Sequence, residues 1–264
     1  MKVGGLNLII TLTTDFSIHD PYVAAMKGVI LNHCPDVTIV DISHSIQPQN
    51  VDEAAFILNG VYRYFPKGAI HVVVVDPGVG SDRAVLAVDT SDYLFLAPDN
   101  GVLKYIFNDS PKARVFRVIN RELFLKNVSN TFHGRDVFAP VSAHLASGHP
   151  IESVGESCSD YIQGEIKNST VEENSISGEI IYIDGFGNGI TNINQEQITG
   201  RKNIRIRIGD RAIQMLVSSY SEGAIGEILV IIGSFGTLEI AVREGNAQKM
   251  LNFQSGDLVQ VGWD

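Results

Sequence analysis

The run IHVVVVDPGVGSDR, Ile70 to Arg83, constrains the fold more than any other stretch of this chain. Val72 to Val75 leave neither face of a strand for solvent. A strand apolar on both faces belongs in a largely parallel sheet covered by helices on both sides. It stops on Asp76-Pro77-Gly78. Proline cannot continue a central strand, and Gly78 and Gly80 leave the backbone open to close approach by a ligand. In open α/β sheets the carboxyl ends of the strands are where ligands bind. Asp76, with Arg83 returning seven residues later, is therefore a first candidate for chemistry.

The segments around it fit that architecture. Leu6 to Leu12 reads as a first strand rather than a signal peptide, because its apolar run is short and ends in Thr and Asp. Asp20-Pro21 opens a helix whose apolar face is Tyr22, Ala25, Met26, Val29 and Ile30. VTIVDI is a second strand. Asn50 and Glu53 resemble a capping box ahead of Val51, Ala54, Ala55 and Leu58. AVLAVDT and YLFLA suggest a hairpin, and Val137 to Ser147 a further helix. The texture changes near residue 165, where IKNSTVEENSISG reads as a polar linker. Beyond it EIIYID, ITNI, IRIRI, AIQMLV, ILVIIG, LEIAV and LVQVGW are closely spaced short strands. The expectation is an α/β domain over 1–160, a mainly parallel sheet flanked by helices, followed by an all-β, barrel-like domain over 170–264.

Bulk properties narrow the partners. The net charge of −10 over 264 residues disfavours nucleic acid, whose phosphates it would repel. No apolar run approaches the ~20 residues that span a bilayer, so no membrane partner is expected. Cys34 and Cys158 make neither a disulfide framework nor a zinc site, and the chain reads as cytoplasmic.

Four polar loops remain. Asp15, Asp41 and Asp76 follow or end strands and could converge at one sheet edge, although Asp is also an ordinary turn and capping residue. GVGS is not a nucleotide-binding fingerprint, since Arg83 stands where the third glycine belongs and no Gly-Lys-Ser/Thr follows. NTFHGRD, Asn130 to Asp136, places His133 as an acid, base or orienter, against the plainer reading of a hydrogen-bonded structural histidine. That plainer reading is adopted for His44 and His144. No histidine spacing matches a metal motif, so no metal is expected. YIDGFGNGITN is a glycine-rich hairpin by itself, and GSFGTLEIAV a core strand in which Glu239 is out of place unless it faces solvent.

Taken in order, LTTDFSIHDPYVAAMKGVI, VVDPGVGSDR, FHGRDVFAP, DGFGNGITNI and GSFGTLEIAV resemble the S-adenosylmethionine hydrolases, or S-adenosylmethionine hydroxide adenosyltransferases, relatives of the enzymes that fluorinate or chlorinate the same substrate. Two departures stand out: Ser17 where the family usually has Gly, and Gln47 where Pro is usual. The resemblance implies a homotrimer with each active site between the N-terminal domain of one subunit and the C-terminal domain of the next. It implies Asp76, Arg83 and His133 as a water-handling triad and Asp15 as a ribose-binding acid. It further implies that Asp184, Phe186 and Asn188, together with Ser234, Glu239 and Val242, meet the methionine and adenosine parts of the substrate.

The implied reaction is attack of water on the ribose C5′ of S-adenosylmethionine, giving adenosine and L-methionine. A neutral thioether leaves a sulfonium without protonation, so neither a general acid at the leaving group nor a cofactor has a task. Water, with a pKa of 15.7, is the difficult partner, and a fixed carboxylate can orient and polarise it. Halide transfer is the alternative within the resemblance. Asp76 opposes it, since a carboxylate ~4 Å from a halide costs roughly 4 kcal/mol at an effective dielectric of about 20. A non-catalytic S-adenosylmethionine or adenosine sensor would not need the triad, and a metal-dependent phosphoesterase lacks the ligand spacing.

Overall fold

The computed structural model describes residues 8–213 and 216–264, so Leu6 and Asn7 of the expected first strand, and Gln214 and Met215 of AIQMLV, lie outside the described residues. The chain divides into two compact units, Met1–Ile166 and Lys167–Asp264.

In chain order the N-terminal unit contains β1 (Ile9–Thr14), α1 (Tyr22–His33), β2 (Thr38–Ser43), α2 (Val51–Val61), β3 (Ile70–Val74), β4 (Val85–Asp89), β5 (Leu94–Pro98), α3 (Lys104–Asp109), β6 (Arg114–Val118), α4 (Ala139–Ala146) and β7 (Gly155–Ser157). The strands form one sheet in the order β2-β1-β3-β5-β4-β6-β7. β2, β1, β3 and β5 pair in parallel. β4 runs antiparallel to both β5 and β6, and β7 antiparallel to β6. The expected hairpin is β4–β5, while β6 and β7 carry no clear alternation and were not expected.

The valine run is divided between two cores. Val72 and Val74 pack with Leu12, Met26, Ile30 and Phe138, beneath α1 and α4. Val73 and Val75 pack with Leu58, Leu86, Phe95 and Ile106, beneath α2 and α3. Successive strand residues point to opposite faces, so an unbroken apolar run is what a doubly covered strand requires. Each fully buried valine contributes roughly 1.5–3 kcal/mol. His71, on the Val73 side, is fully buried among Tyr62, Phe65, Tyr93 and Phe95, with Nδ1 2.8 Å from Thr11 Oγ1. Burial lowers its pKa from 6.5 to about 4.

Local details differ instructively from the sequence pattern. α1 begins one residue later than expected, and Val23, not Tyr22, joins Met26 and Ile30 in the core. Tyr22 is exposed and packs on Phe16 and Phe132 instead. At α2, Asn50 Oδ1 accepts from the Glu53 N–H at 3.0 Å, but Glu53 Oε2 accepts from the Gln47 N–H at 3.2 Å rather than closing a reciprocal box. A proline at position 47 could not donate that bond, so this departure from the family pattern is used. Ser17 has φ 64, a left-handed conformation for which glycine is the unstrained choice.

The C-terminal unit contains β8 (Thr170–Val171), β9 (Ser175–Ile183), β10 (Gly189–Asn194), α5 (Gln195–Ile198), β11 (Arg205–Ile208), β12 (Arg211–Ile213), β13 (Leu216–Val217), β14 (Ile228–Ile232), β15 (Thr237–Val242), α6 (Ala247–Leu251) and β16 (Leu258–Gly262). Strand order is β12-β11-β16-β9-β10-β15-β14-β13, with β8 added on β9. Part of the polar segment expected as linker is thus strand. Ile213 of β12 and Val230 of β14, far apart in that order, share one core with Ile180, Ile240, Phe253 and Val259. The sheet therefore curls into a half-barrel. Among the described residues no helix is long and apolar enough to cross a membrane.

Candidate active site

The N-terminal unit gathers Asp76, Arg83 and His133 through three different pieces of chain. Asp76 follows β3. The turn after it is closed by Val79 N–H to Asp76 O at 3.2 Å and Ser81 N–H to Gly78 O at 3.1 Å. Ser81 Oγ donates to Gly78 O at 2.7 Å. That turn brings Arg83 back over the carboxylate. Arg83 Nε donates to Asp76 Oδ1 at 2.8 Å, and Nη2 donates to Oδ2. The fork is bidentate, which fixes the carboxylate plane as well as its position. Both side chains are largely removed from solvent, at 5% for Asp76 and 10% for Arg83.

The same Nη2 lies 3.1 Å from His133 Nδ1. A guanidinium only donates, so Nδ1 must accept and a neutral His133 carries its proton on Nε2. Burial, then the Arg83 charge, hold the His133 pKa below its usual value, opposed by the Asp76 and Asp136 carboxylates. His133 precedes a single π-helical turn, Gly134–Phe138, that leads into α4. Its loop is fastened by Asp136, fully buried, which accepts from the Ser129 N–H at 2.8 Å and from Arg135 Nε at 2.6 Å. The two loops meet at Gly80 (φ 79), where a Cβ would stand 2.3 Å from the Asn130 carbonyl oxygen. Only glycine permits this approach. Arg83 and His133 also border a cavity of about 1070 Å³ shared with Arg117, Arg121, Phe124 and Lys126.

Asp15 follows β1, beside β3, in a register that pairs Thr14 with Val74. Asp15 Oδ2 accepts from the Gln49 N–H at 2.8 Å. Asp41 does not join Asp15 and Asp76. It sits within β2 opposite Leu12, with Oδ2 2.6 Å from Lys27 Nζ and Oδ1 3.0 Å from His44 Nε2. His44 is structural: Nδ1 lies 2.9 Å from the buried Thr14 Oγ1, and its carbonyl accepts from the Ser17 N–H at 2.8 Å. His144 is likewise hydrogen-bonded, to Ser153 Oγ at 2.8 Å.

The remaining sequence candidates lie in the C-terminal unit. Asp184 is a loop clamp: Oδ1 accepts from the Phe186 and Asn188 N–H groups at 2.9 Å each, and Oδ2 from Asn188 Nδ2 at 3.0 Å. Asn188 is buried by this arrangement, while Phe186 is 77% exposed at the loop tip. Ser234 is exposed in the β14–β15 turn, and the Val242 side chain is buried in the core. Glu239 does not face solvent. It is 5% exposed, and its Oε1 accepts from the Tyr220 hydroxyl. Burial raises the Glu239 pKa, aided by Asp184 and opposed by Tyr220.

Sequence reading missed Asp136 and Tyr220, and at Gly80 it expected a ligand where the structure brings in the Asn130 carbonyl. The FHGRD motif offered a signal for Asp136, but nothing local links Tyr220 to Glu239. Among the described residues no group of three or more His, Cys, Asp or Glu side chains is placed to share a metal ion.

Comparison with known proteins accounts for both units. Residues 10–155 match the SAM hydroxide adenosyltransferase N-terminal domain, and residues 178–260 the corresponding C-terminal domain. An (R)-S-adenosyl-L-methionine hydrolase from Methanocaldococcus jannaschii is 36% identical, covering 96% of this chain and 95% of the relative. A fluorinase from Nocardia brasiliensis is 29% identical, with 98% of each chain covered. A crystal structure of an uncharacterized conserved protein from Thermotoga maritima superposes with a TM-score of 0.90 at 37% identity, over 97% of this chain and 100% of that one. With both domains matched in order and a relative this similar along nearly its full length, the chain belongs to the SAM hydroxide adenosyltransferase family.

Proposed function

We propose that this protein hydrolyses S-adenosyl-L-methionine, water attacking the ribose C5′ in line with the departing sulfur to give adenosine and L-methionine. The observation that carries this reading is the Asp76 carboxylate, gripped at both oxygens by Arg83 at the end of a buried strand, with Arg83 also engaged by His133. Each carboxylate oxygen keeps a lone pair after meeting the guanidinium. A water held there has its oxygen aimed and its O–H bond polarised. The O–C5′ bond forms as the C5′–S bond breaks, the C5′–S bonding pair stays on sulfur to give the neutral thioether of methionine, and one water proton leaves through Asp76. His133, with its proton on Nε2, donates on the side away from Arg83. Asp15 binds the ribose. Asp184 shapes the loop that presents Phe186 and Asn188, and Ser234, Glu239 and the Val242 segment complete the substrate contacts.

Positioning supplies most of the acceleration, because in-line attack on a fixed sulfonium converts a bimolecular step into a local one. The reaction proceeds without metal, since the neutral leaving group needs no Lewis acid and Arg83 already occupies the Asp76 carboxylate. The protein works in the cytoplasm as a homotrimer, each site formed by the N-terminal unit of one copy and the C-terminal unit of the next. The division of the residues between two units supports that assembly, as does the family resemblance.

The test is chromatography of purified protein incubated with S-adenosylmethionine alone, then with fluoride or chloride added, each with and without excess chelator. Equimolar adenosine and methionine under all conditions is expected. A 5′-halogenated nucleoside would move the activity to halide transfer, and activity lost on chelation and restored by a divalent ion would reject the metal-free mechanism. Light scattering that finds a stable, fully active monomer would reject the trimer.

A further inference from the structure

Glu239 is the acid of this molecule whose surroundings are hardest to explain by folding alone. It lies in the middle of β15, flanked by Ile190 on β10 and Ile231 on β14, and is 5% exposed. Among the described residues neither Glu239 nor the neighbouring Asp184 has a Lys, Arg or His in ion-pair contact. Its Oε2 side is kept clear by Gly233, where a Cβ would stand 2.5 Å from that oxygen. Among the described residues its Oε1 has one donor, the hydroxyl of Tyr220.

Tyr220 is held for that contact. It sits in a short turn, Tyr220–Glu222, between β13 and β14. Arg243, just past β15, donates from Nη1 to the carbonyls of Ser221 at 3.0 Å and Gly223 at 2.6 Å. The Ser218 N–H donates to Glu222 Oε1 at 3.1 Å. The turn is thus tied to the end of the strand that carries Glu239. Tyr220 is 44% exposed as a residue, but its hydroxyl stays a donor, since partial burial of that group and the hydrogen bond and charge of Glu239, with the charge of Asp184, push its ionisation upward.

We propose that Tyr220 is a positioning residue for substrate binding: its hydroxyl donates to the Glu239 carboxylate and fixes it in one orientation, leaving Oε2 for an N–H donor of the substrate. This rests on the reading of Glu239 as a substrate contact. The groups that bear on Glu239 are Tyr220 from the β13–β14 connection and Asp184 from the β9–β10 loop, while the flanking strands present Ile190 and Ile231. Tyr220 favours the charged carboxylate and Asp184 disfavours it, so removing the hydroxyl leaves only the unfavourable neighbour.

Tyr220→Phe, which keeps the ring, is the test, with two readouts. The first needs no substrate: carbon NMR titration of labelled glutamate side chains, the Glu239 resonance assigned by its loss in Glu239→Gln. Its midpoint should rise by ~1 pH unit or more in Tyr220→Phe, the equivalent of one hydrogen bond to a charged group. The second is steady-state hydrolysis of S-adenosylmethionine. KM at neutral pH should rise about tenfold with kcat within about threefold, and the acid limb of kcat/KM should move up with the titration. An unchanged titration midpoint overturns the proposal whether or not the protein is a hydrolase. A shifted midpoint with unchanged KM overturns the binding role alone. An equal fall in kcat and kcat/KM with an unmoved acid limb marks a merely structural residue and also overturns it. If the parent protein does not hydrolyse S-adenosylmethionine, the functional reading fails while the titration still decides whether the Tyr220 hydroxyl engages the Glu239 carboxylate.

Discussion

Replacing Asp76 by Asn changes one charge and almost no volume, and the structure sets what it should cost. The parent carboxylate accepts from Arg83 Nε and Nη2, and both partners are nearly buried. An amide retains one acceptor for this fork and turns an NH2 toward the other guanidinium donor. Removing one partner of a buried ion pair costs about 3–5 kcal/mol, and the surviving acceptor puts Asp76→Asn near about 3 kcal/mol. Turnover should fall further than the fold suffers, by roughly a hundredfold to a thousandfold, because the amide neither polarises water nor receives its proton. Affinity for S-adenosylmethionine should change by less than about fivefold, since the ribose, methionine and adenine contacts are assigned elsewhere. Asp41→Ala is the control. Its partner Lys27 is one-third exposed, so the pair contributes about 1 kcal/mol or less, and turnover should stay within about threefold. Urea unfolding, calorimetric titration with substrate and product chromatography on both variants decide the matter. Asp76→Asn with turnover within threefold of the parent would refute the assigned role and leave Asp76 as an anchor for Arg83.

His71 makes stability pH-dependent. Its pKa in the fold is about 4 against 6.5, so the unfolded chain takes up the proton first as pH falls. Stability should therefore decline between about pH 6.5 and 4 by up to about 3 kcal/mol, and this group should add nothing further below that. Urea midpoints across this range should fall less steeply in His71→Gln, and identical slopes would exclude His71 as the source. At Ser17, with φ 64, Ser17→Gly should be neutral or stabilising by about 0.5 kcal/mol, while Ser17→Val should cost about 1–2 kcal/mol relative to Gly. Equal urea midpoints for the Gly and Val variants would contradict a left-handed backbone at that position.

What could be read from sequence was what lies close along the chain. The valine run, the Asp-Pro-Gly stop and the returning arginine fall within fourteen residues, and they encode a strand, a turn and an ion pair by local rules alone. The short strands of the C-terminal unit were legible for the same reason, as alternating apolar runs between turns. Asp41 stayed open between a turn residue and a site acid because its partners, Lys27 on α1 and His44 past β2, meet it only once the sheet is assembled. Tyr220 was invisible because it joins Glu239 across nineteen residues with no motif between them. Asp184 was legible as a turn residue, yet sequence could not tell that three hydrogen bonds from Phe186 and Asn188 already engage both of its oxygens.

The partition of β3 between two cores has a kinetic consequence. Val72 and Val74 are released only when the layer under α1 and α4 opens, and Val73 and Val75 only when the layer under α2 and α3 does. Local fluctuations that loosen one layer leave the strand clamped by the other, so its amides exchange with solvent chiefly through cooperative opening of the unit. Asp76 is the first residue beyond that segment. The backbone mount of its carboxylate is then as durable as the unit itself, and the plane of that carboxylate lasts as long as the Arg83 fork that holds it.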